Sequence, residues 1–344
     1  MLKAPSIYII QGAKWLTIIT RTSCVDSVNE PNSDNFYSEI NSWVYLPITY
    51  VVYRNKIIIH YLAAPKFKPN DAFLIQTEKR QQENGVKRKL IPLDQIPVVT
   101  EVDMAGMIFH SSRCGSTLLC NMLDSQANCF TVRESDIVNK VLTDKDLSDK
   151  TKQHLLNTIL NDYVRYSSYL GVRCVIKFSS FCTLHLPYLL AQYPAVPWVY
   201  LYREPESVIS SLIKKPPGWL SVDFIQTIFG LLKYQIPVEP SLQAALVLRH
   251  CLKQVVKCVV NHSDTCSLLQ YKQLQFSIEK IMEIANHFGF DVDSNNLTDM
   301  LSCLKVNAKT GQSYRATENH TRSSELAQIK NDGWGDYEYL CRVN

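Results

Sequence analysis

Met107-Ile-Phe-His-Ser-Ser-Arg-Cys-Gly-Ser-Thr-Leu-Leu119 reads as a short apolar strand, a tight loop of small residues around one arginine, and a helix start. That order builds an anion cradle, because the loop N–H groups and the helix N-terminus converge on one spot and both favour negative charge. The familiar nucleoside-triphosphate loop has two glycines five apart and a lysine before Ser/Thr. Here Gly115 is the single glycine, the lysine is missing, and Arg113 stands two residues before the glycine. A strand–turn–helix corner needs some Ser and Gly, but not this density of donors.

Outward from the loop, strands and helices alternate. Strands are expected at 106–110, 129–133, 172–178, 196–202 and 266–271. Helices are expected at 116–124, 151–169, 183–192, 205–214, 221–234, 241–261 and 277–288. In 151–169, Leu155, Leu156, Ile159, Leu160, Tyr163 and Val164 share one helical face. The fold class is therefore α/β, a P-loop-type parallel sheet flanked by helices, with ligands expected beyond the carboxyl ends of the strands. Residues 1–100 have another texture: Trp43–Tyr53 and Lys56–Leu62 are β-branched and aromatic around Arg54-Asn55, a hairpin pattern. The charge run Thr77–Lys89, with Asn84-Gly85 inside it, reads as a solvated loop tip. The expected division is a β-rich N-terminal accessory region, 1–100, and a catalytic domain, 101–344.

Composition narrows the function. The 344 residues carry 46% hydrophobic and 20% charged side chains, the balance of a globular protein. A net charge of +4 suits an anionic ligand but is weak for nucleic acid. The 11 cysteines are scattered without Cys-x-x-Cys or zinc spacing, so buried thiols in a reducing compartment are expected, and no metal. No apolar run reaches membrane-span length and the N-terminus does not read as a signal peptide, so the expected location is cytoplasmic, without a membrane anchor.

Three further segments carry chemistry. Val199–Leu212 ends a strand at Arg203 and places Ser211 two turns into the next helix, an arrangement that can clamp a second phosphate. Each residue alone also has an ordinary reading, a salt bridge from Arg203 to Glu204 or Glu206 and a packing serine. Lys177 closes the strand Val175-Ile-Lys177. In Val132-Arg-Glu-Ser-Asp136, Glu134 is a candidate general base, with helix N-terminal charge as the alternative.

In this order the four pieces resemble the sulfotransferase family that uses 3′-phosphoadenosine 5′-phosphosulfate (PAPS). The pattern is most similar to the branch of tyrosylprotein sulfotransferases and bacterial relatives, with Arg113-Cys-Gly-Ser-Thr-Leu, Met122-Leu-Asp124 and a glutamate about twenty residues after the arginine. The resemblance spans roughly 104–310. It implies that Ser112, Arg113, Cys114, Gly115, Ser116 and Thr117 bind the 5′-phosphosulfate and that Arg203 and Ser211 bind the 3′-phosphate. It also implies a catalytic set of Glu134, Arg113 and Lys177, with PAPS as co-substrate and no metal. Tyr271-Lys-Gln-Leu274 resembles the family's Tyr-Glu-x-Leu element, with Lys272 in place of the glutamate. Cys114 replaces a serine, and Phe178 an acidic residue. The implied partner is a sulfate acceptor with a hydroxyl or amine. Segments 136–150 and 213–240, with Trp219 and Phe224, are candidates for its pocket, and Lys309-Thr-Gly311 for a closing loop. A homodimer remains open.

Three alternatives stand beside this reading. A P-loop kinase would want the missing lysine and an aspartate near Arg203. A cysteine phosphatase using Cys114 would want arginine at position 120, which is Cys120. A non-catalytic nucleotide-binding relative would have little reason to keep the whole residue set.

Overall fold

In the computed structural model, residues 44–306 (except 70, 72 and 87), 308–309 and 334–344 are described. The centre is a five-stranded parallel sheet. Its strands are β4 (Gly106–His110), β5 (Cys129–Arg133), β6 (Arg173–Lys177), β7 (Trp198–Tyr202) and β8 (Cys266–Gln270), in the spatial order β5-β6-β4-β7-β8. Every residue of β4, β5 and β7 is buried, as expected of parallel strands covered on both faces.

The period of two along these strands sorts the core into two clusters. Met107, Phe109, Phe130, Val132, Trp198 and Tyr200 lie on one face, packed with residues of α3 (Asp136–Thr143), α4 (Asp149–Tyr169) and α8 (Pro240–Asn261). Ile108, Cys129, Val175, Val199 and Leu201 lie on the other, with α2 (Ser116–Asp124) and α10 (Ile278–His287). The remaining helices are α5 (Leu186–Gln192), α6 (Pro205–Lys214), α7 (Val222–Phe229), α9 (Tyr271–Phe276), α11 (Ser294–Ser302) and α12 (Gly335–Val343).

Expected and observed elements agree closely around the loop, with β4 at 106–110 and α2 at 116–124. Elsewhere local chemistry moves the ends. The helix expected over 183–192 is a 3-10 segment, Ser180–His185, followed by α5, with Pro187 in the first turn of the α-helix. The one expected over 221–234 stops at Phe229, because Gly230 takes a left-handed cap with φ 66°.

The N-terminal hairpin forms as β1 (Tyr45–Tyr53) and β2 (Lys56–Ala63). Arg54 and Asn55 both have positive φ, as a two-residue turn of this hand requires. A third strand, β3 (Arg88–Pro92), pairs antiparallel to β2. The charge run is not a loop tip. Leu74–Glu83 forms helix α1, and only Asn84-Gly85 turns. Thr77 and Glu78 on α1 are buried, so the charged string conceals an inward face. Leu46, Tyr50 and Ile59 of the small sheet join the same core cluster as Phe130 and Ile137, and Tyr61 Oη donates to Asp162 of α4 at 2.8 Å.

Among the described residues all ten cysteines are free thiols, seven of them buried. No helix among these residues is long and apolar enough to cross a membrane, and none of them gather as three or more His, Cys, Asp or Glu side chains suited to a metal ion.

Candidate active site

β4 is the pivot of the sheet. β6 pairs on one side and β7 on the other, so the loop leaving β4 opens at the point where strand order reverses. Ser112, Arg113 and Gly115 adopt positive φ values of 66°, 51° and 85°. Consecutive residues in this region curl the backbone into a concave nest of N–H groups. Glycine is required at 115 for a second reason: a Cβ there would stand 2.7 Å from Leu274 Cδ2 and 3.0 Å from the Tyr271 ring.

Lys177 and Glu134 meet because parallel strands β5 and β6 end in register. Arg133 pairs with Lys177, and the Glu134 N–H donates to the Lys177 carbonyl at 2.8 Å. Strand alternation stops at Glu134, whose φ is 51°. Lys177 Nζ donates to Glu134 Oε1 in a close ion pair, with the lysine side chain fully buried and the glutamate 21% exposed. His110 reaches the same carboxylate from β4: Nε2 stands 3.5 Å from Glu134 Oε1. Burial alone would raise the Glu134 pKa, but the Lys177 ammonium and then His110 outweigh it and hold the carboxyl well below its usual range.

These groups border a cavity of about 420 Å³. Glu134, His110, Ser112, Arg113, Gly115, Ser116, Thr117 and Ser211 all line it. Phe73, Pro217, Trp219, Leu304 and Val306 supply apolar wall, and Tyr271 and Lys309 also face it. Lys177 stands behind Glu134 and is not part of the wall. Cys114 is fully buried, and burial pushes its thiol up, which removes it as a nucleophile.

Arg113 lines the cavity while one of its guanidinium nitrogens donates to the Lys215 carbonyl just after α6. Arg203 is half-buried beside the cavity and is not among its lining residues. Its Nη1 donates to the Arg113 carbonyl at 3.2 Å, and its guanidinium sits 4.4 Å from the Tyr271 ring centroid. The ordinary reading of Arg203, a salt bridge to Glu204, does form, but loosely. Their separation is 3.9 Å, and Arg203 Nε is buried with no hydrogen-bond partner among the described residues.

Of the two segments expected to build an acceptor pocket, 213–240 contributes Pro217 and Trp219. Phe224 instead packs edge-on against Phe181 at 4.9 Å. Residues 136–143 form α3, whose Ile137, Val138, Val141 and Leu142 are buried in the core. Lys309 reaches the cavity, and Asn121 Nδ2 holds the adjoining Ala308 carbonyl at 3.1 Å. Thr310 and Gly311 lie outside the described residues.

His110 and Phe73 are among the cavity residues that the sequence did not single out. His110 lies within the opening motif, and its place two residues after Ile108, the register partner of Lys177, puts it on that residue's sheet face. Phe73 had no local signal, since its position depends on how α1 folds over the sheet edge.

A scan against protein-family models finds no match, and neither does a search of curated proteins. Solved structures to which the chain is similar include sulfotransferases and a retinol dehydratase. The sulfotransferase domain from the curacin biosynthetic pathway shares 15% identity at a TM-score of 0.41, covering 67% of this chain and 98% of that one. A sulfotransferase from Alicyclobacillus acidocaldarius shares 11% at 0.37, covering 60% and 95%. Mouse sulfotransferase SULT7A1, complexed with PAP, shares 13% at 0.38, covering 70% and 80%. Likenesses this loose carry nothing about what this chain binds; that rests on its own residues.

Proposed function

We propose that this protein is a sulfotransferase that moves a sulfuryl group from PAPS to a hydroxyl or amine acceptor. The observation that carries the reading is the convergence of a lysine-free anion loop and the Glu134 carboxylate on one cavity. The curled Ser112–Gly115 backbone, the Ser116 and Thr117 hydroxyls and the α2 N-terminus hold the 5′-phosphosulfate. Arg203 and Ser211 take the 3′-phosphate, which distinguishes the donor from ATP.

The acceptor oxygen or nitrogen bonds to sulfur as the bond from sulfur to the 5′-phosphate oxygen breaks. That electron pair leaves with the phosphate, giving adenosine 3′,5′-bisphosphate, and the acceptor proton passes to Glu134. By analogy with phosphoryl transfer, the protein contributes position and charge more than covalent chemistry. In the resting site Glu134 is a weak base because Lys177 holds it. A sulfonate anion in the cavity adds negative charge near the Lys177 ammonium, and any weakening of its hold restores basicity to the carboxylate.

Calorimetric titration with adenosine 3′,5′-bisphosphate tests the reading. We expect saturable binding, weakened in Arg203→Ala. Absence of binding at high micromolar concentration, or magnesium-dependent consumption of ATP, overturns it.

A further inference from the structure

His110 sits between the donor loop and the base, and each of its ring nitrogens faces one of them. The Ser112 N–H donates to His110 Nδ1 at 3.1 Å. Because Nδ1 accepts, a neutral ring carries its proton on Nε2, the nitrogen 3.5 Å from Glu134 Oε1. The side chain is 4% exposed and still borders the cavity. Both residues it addresses, Ser112 and Glu134, have positive φ, a conformation that is costly for a non-glycine residue and persists only where neighbours impose it. The separation to Glu134 is at the outer edge of a hydrogen bond, as is common before substrate enters.

We infer that His110 is a positioning residue that fixes the donor loop through Nδ1 and orients the catalytic carboxylate through Nε2–H. The inference rests on the sulfotransferase reading and deepens it. Lys177 Nζ binds Oε1, and His110 Nε2, which has no other hydrogen-bond partner among the described residues, faces the same oxygen at 3.5 Å. Oε2 is therefore the oxygen that receives the acceptor proton. The Ser112 N–H is spent on the imidazole, so that amide shapes the loop while its neighbours bind the anion. Charged groups around the ring are Lys177 on β6, Glu134 after β5 and Lys309 beyond α11. Burial first, and then Lys177, keeps the imidazole neutral.

Two variants separate the roles. His110→Asn retains an acceptor near the Nδ1 position and loses the donor to Glu134. His110→Gln retains a donor near the Nε2 position and loses the acceptor for Ser112. We expect His110→Asn to bind adenosine 3′,5′-bisphosphate within about twofold of wild type but to release it from PAPS about tenfold more slowly, measured across hydroxyl acceptors with water included. His110→Gln should bind the bisphosphate about fivefold more weakly, with turnover at saturating PAPS falling less than in His110→Asn. Affinity and turnover falling together in both variants, or unchanged in both, overturns the inference. Nitrogen-15 NMR of wild-type His110 needs no variant. We expect a neutral ring protonated on Nε2 at pH 7 to 8, and a proton on Nδ1 overturns the inference. Failure of wild type to bind the bisphosphate sinks the sulfotransferase reading itself, a result distinct from the other two.

Discussion

At the scale of single residues the site is governed by one compensated charge. Glu134 and Lys177 are buried together, and either alone would be costly: breaking a buried pair by removing one partner destabilises by about 3–5 kcal/mol. Lys177→Met should therefore lose stability of that order in urea unfolding. The pH dependence has a definite sign. A carboxylate with a lowered folded pKa contributes stability that is present above the unfolded carboxylate range and lost as pH falls through the folded value. In Lys177→Met burial is left unopposed by the ammonium, so the stability deficit of the variant should be largest near neutral pH and shrink as pH falls through the carboxylate range. Glu134→Gln keeps the shape but cannot take a proton. It should leave bisphosphate binding nearly intact while lowering turnover roughly 10²–10⁴-fold, read by PAP release from PAPS.

At the scale of elements, one close approach seats the strand that carries the loop. A Cβ at Gly106 would stand 2.1 Å from Phe288 Cδ1, because β4 lies directly against the end of α10. Phe288 is 1% exposed and has no room to retreat. Gly106→Ala should lower stability by about 1–3 kcal/mol or more, and Phe288→Leu in the same chain should recover part of the loss, both measured by thermal unfolding. Helix α1 makes a separate prediction. Burial, and then Asp136, raise the Glu78 pKa to about 8. A carboxyl raised in the folded state favours folding most below its unfolded pKa, and that advantage is lost as pH rises through about 8. Glu78→Gln should match wild type near pH 4.5 and melt at a higher temperature by pH 8.5. Thr77 and Glu78 are also where the sequence misled. A string such as Thr-Glu-Lys-Arg-Gln-Gln-Glu reads as solvated, because no apolar period marks the inward face.

At the scale of the whole molecule, the three-stranded sheet and the helices over the parallel sheet share one apolar cluster. Polar groups cross the same seam. Tyr61 Oη donates to Asp162, whose carboxyl burial pushes up to about 7, and Tyr166 Oη donates to the Phe67 carbonyl at 2.8 Å. A shared core with satisfied polar groups unfolds as one unit. Near-ultraviolet and far-ultraviolet signals should give coincident denaturation curves over the described body. Tyr61→Phe should shift both together by about 1–3 kcal/mol, since it leaves a buried carboxyl without its donor. Separate transitions would show that the small sheet folds apart from the rest.

The sequence by itself determined the parallel sheet and the donor loop, because both are written in local periods. Five runs of buried-strand composition, each followed by helical spacing, admit few other arrangements, and Ser111–Thr117 declares its donors in seven consecutive residues. Glu134, Lys177, Arg203 and Ser211 were legible for a related reason: each sits at a strand end or on the helix that follows, and a parallel sheet gathers such ends on one edge. Only the tertiary structure decided how they divide the work. Strand register set Lys177 behind Glu134, sheet-face parity brought His110 near the same oxygen, and the packing of α9 placed the Tyr271 ring against Arg203. These are contacts between residues about 20 to 70 positions apart in the chain, fixed by which strands are neighbours, and no local pattern encodes them.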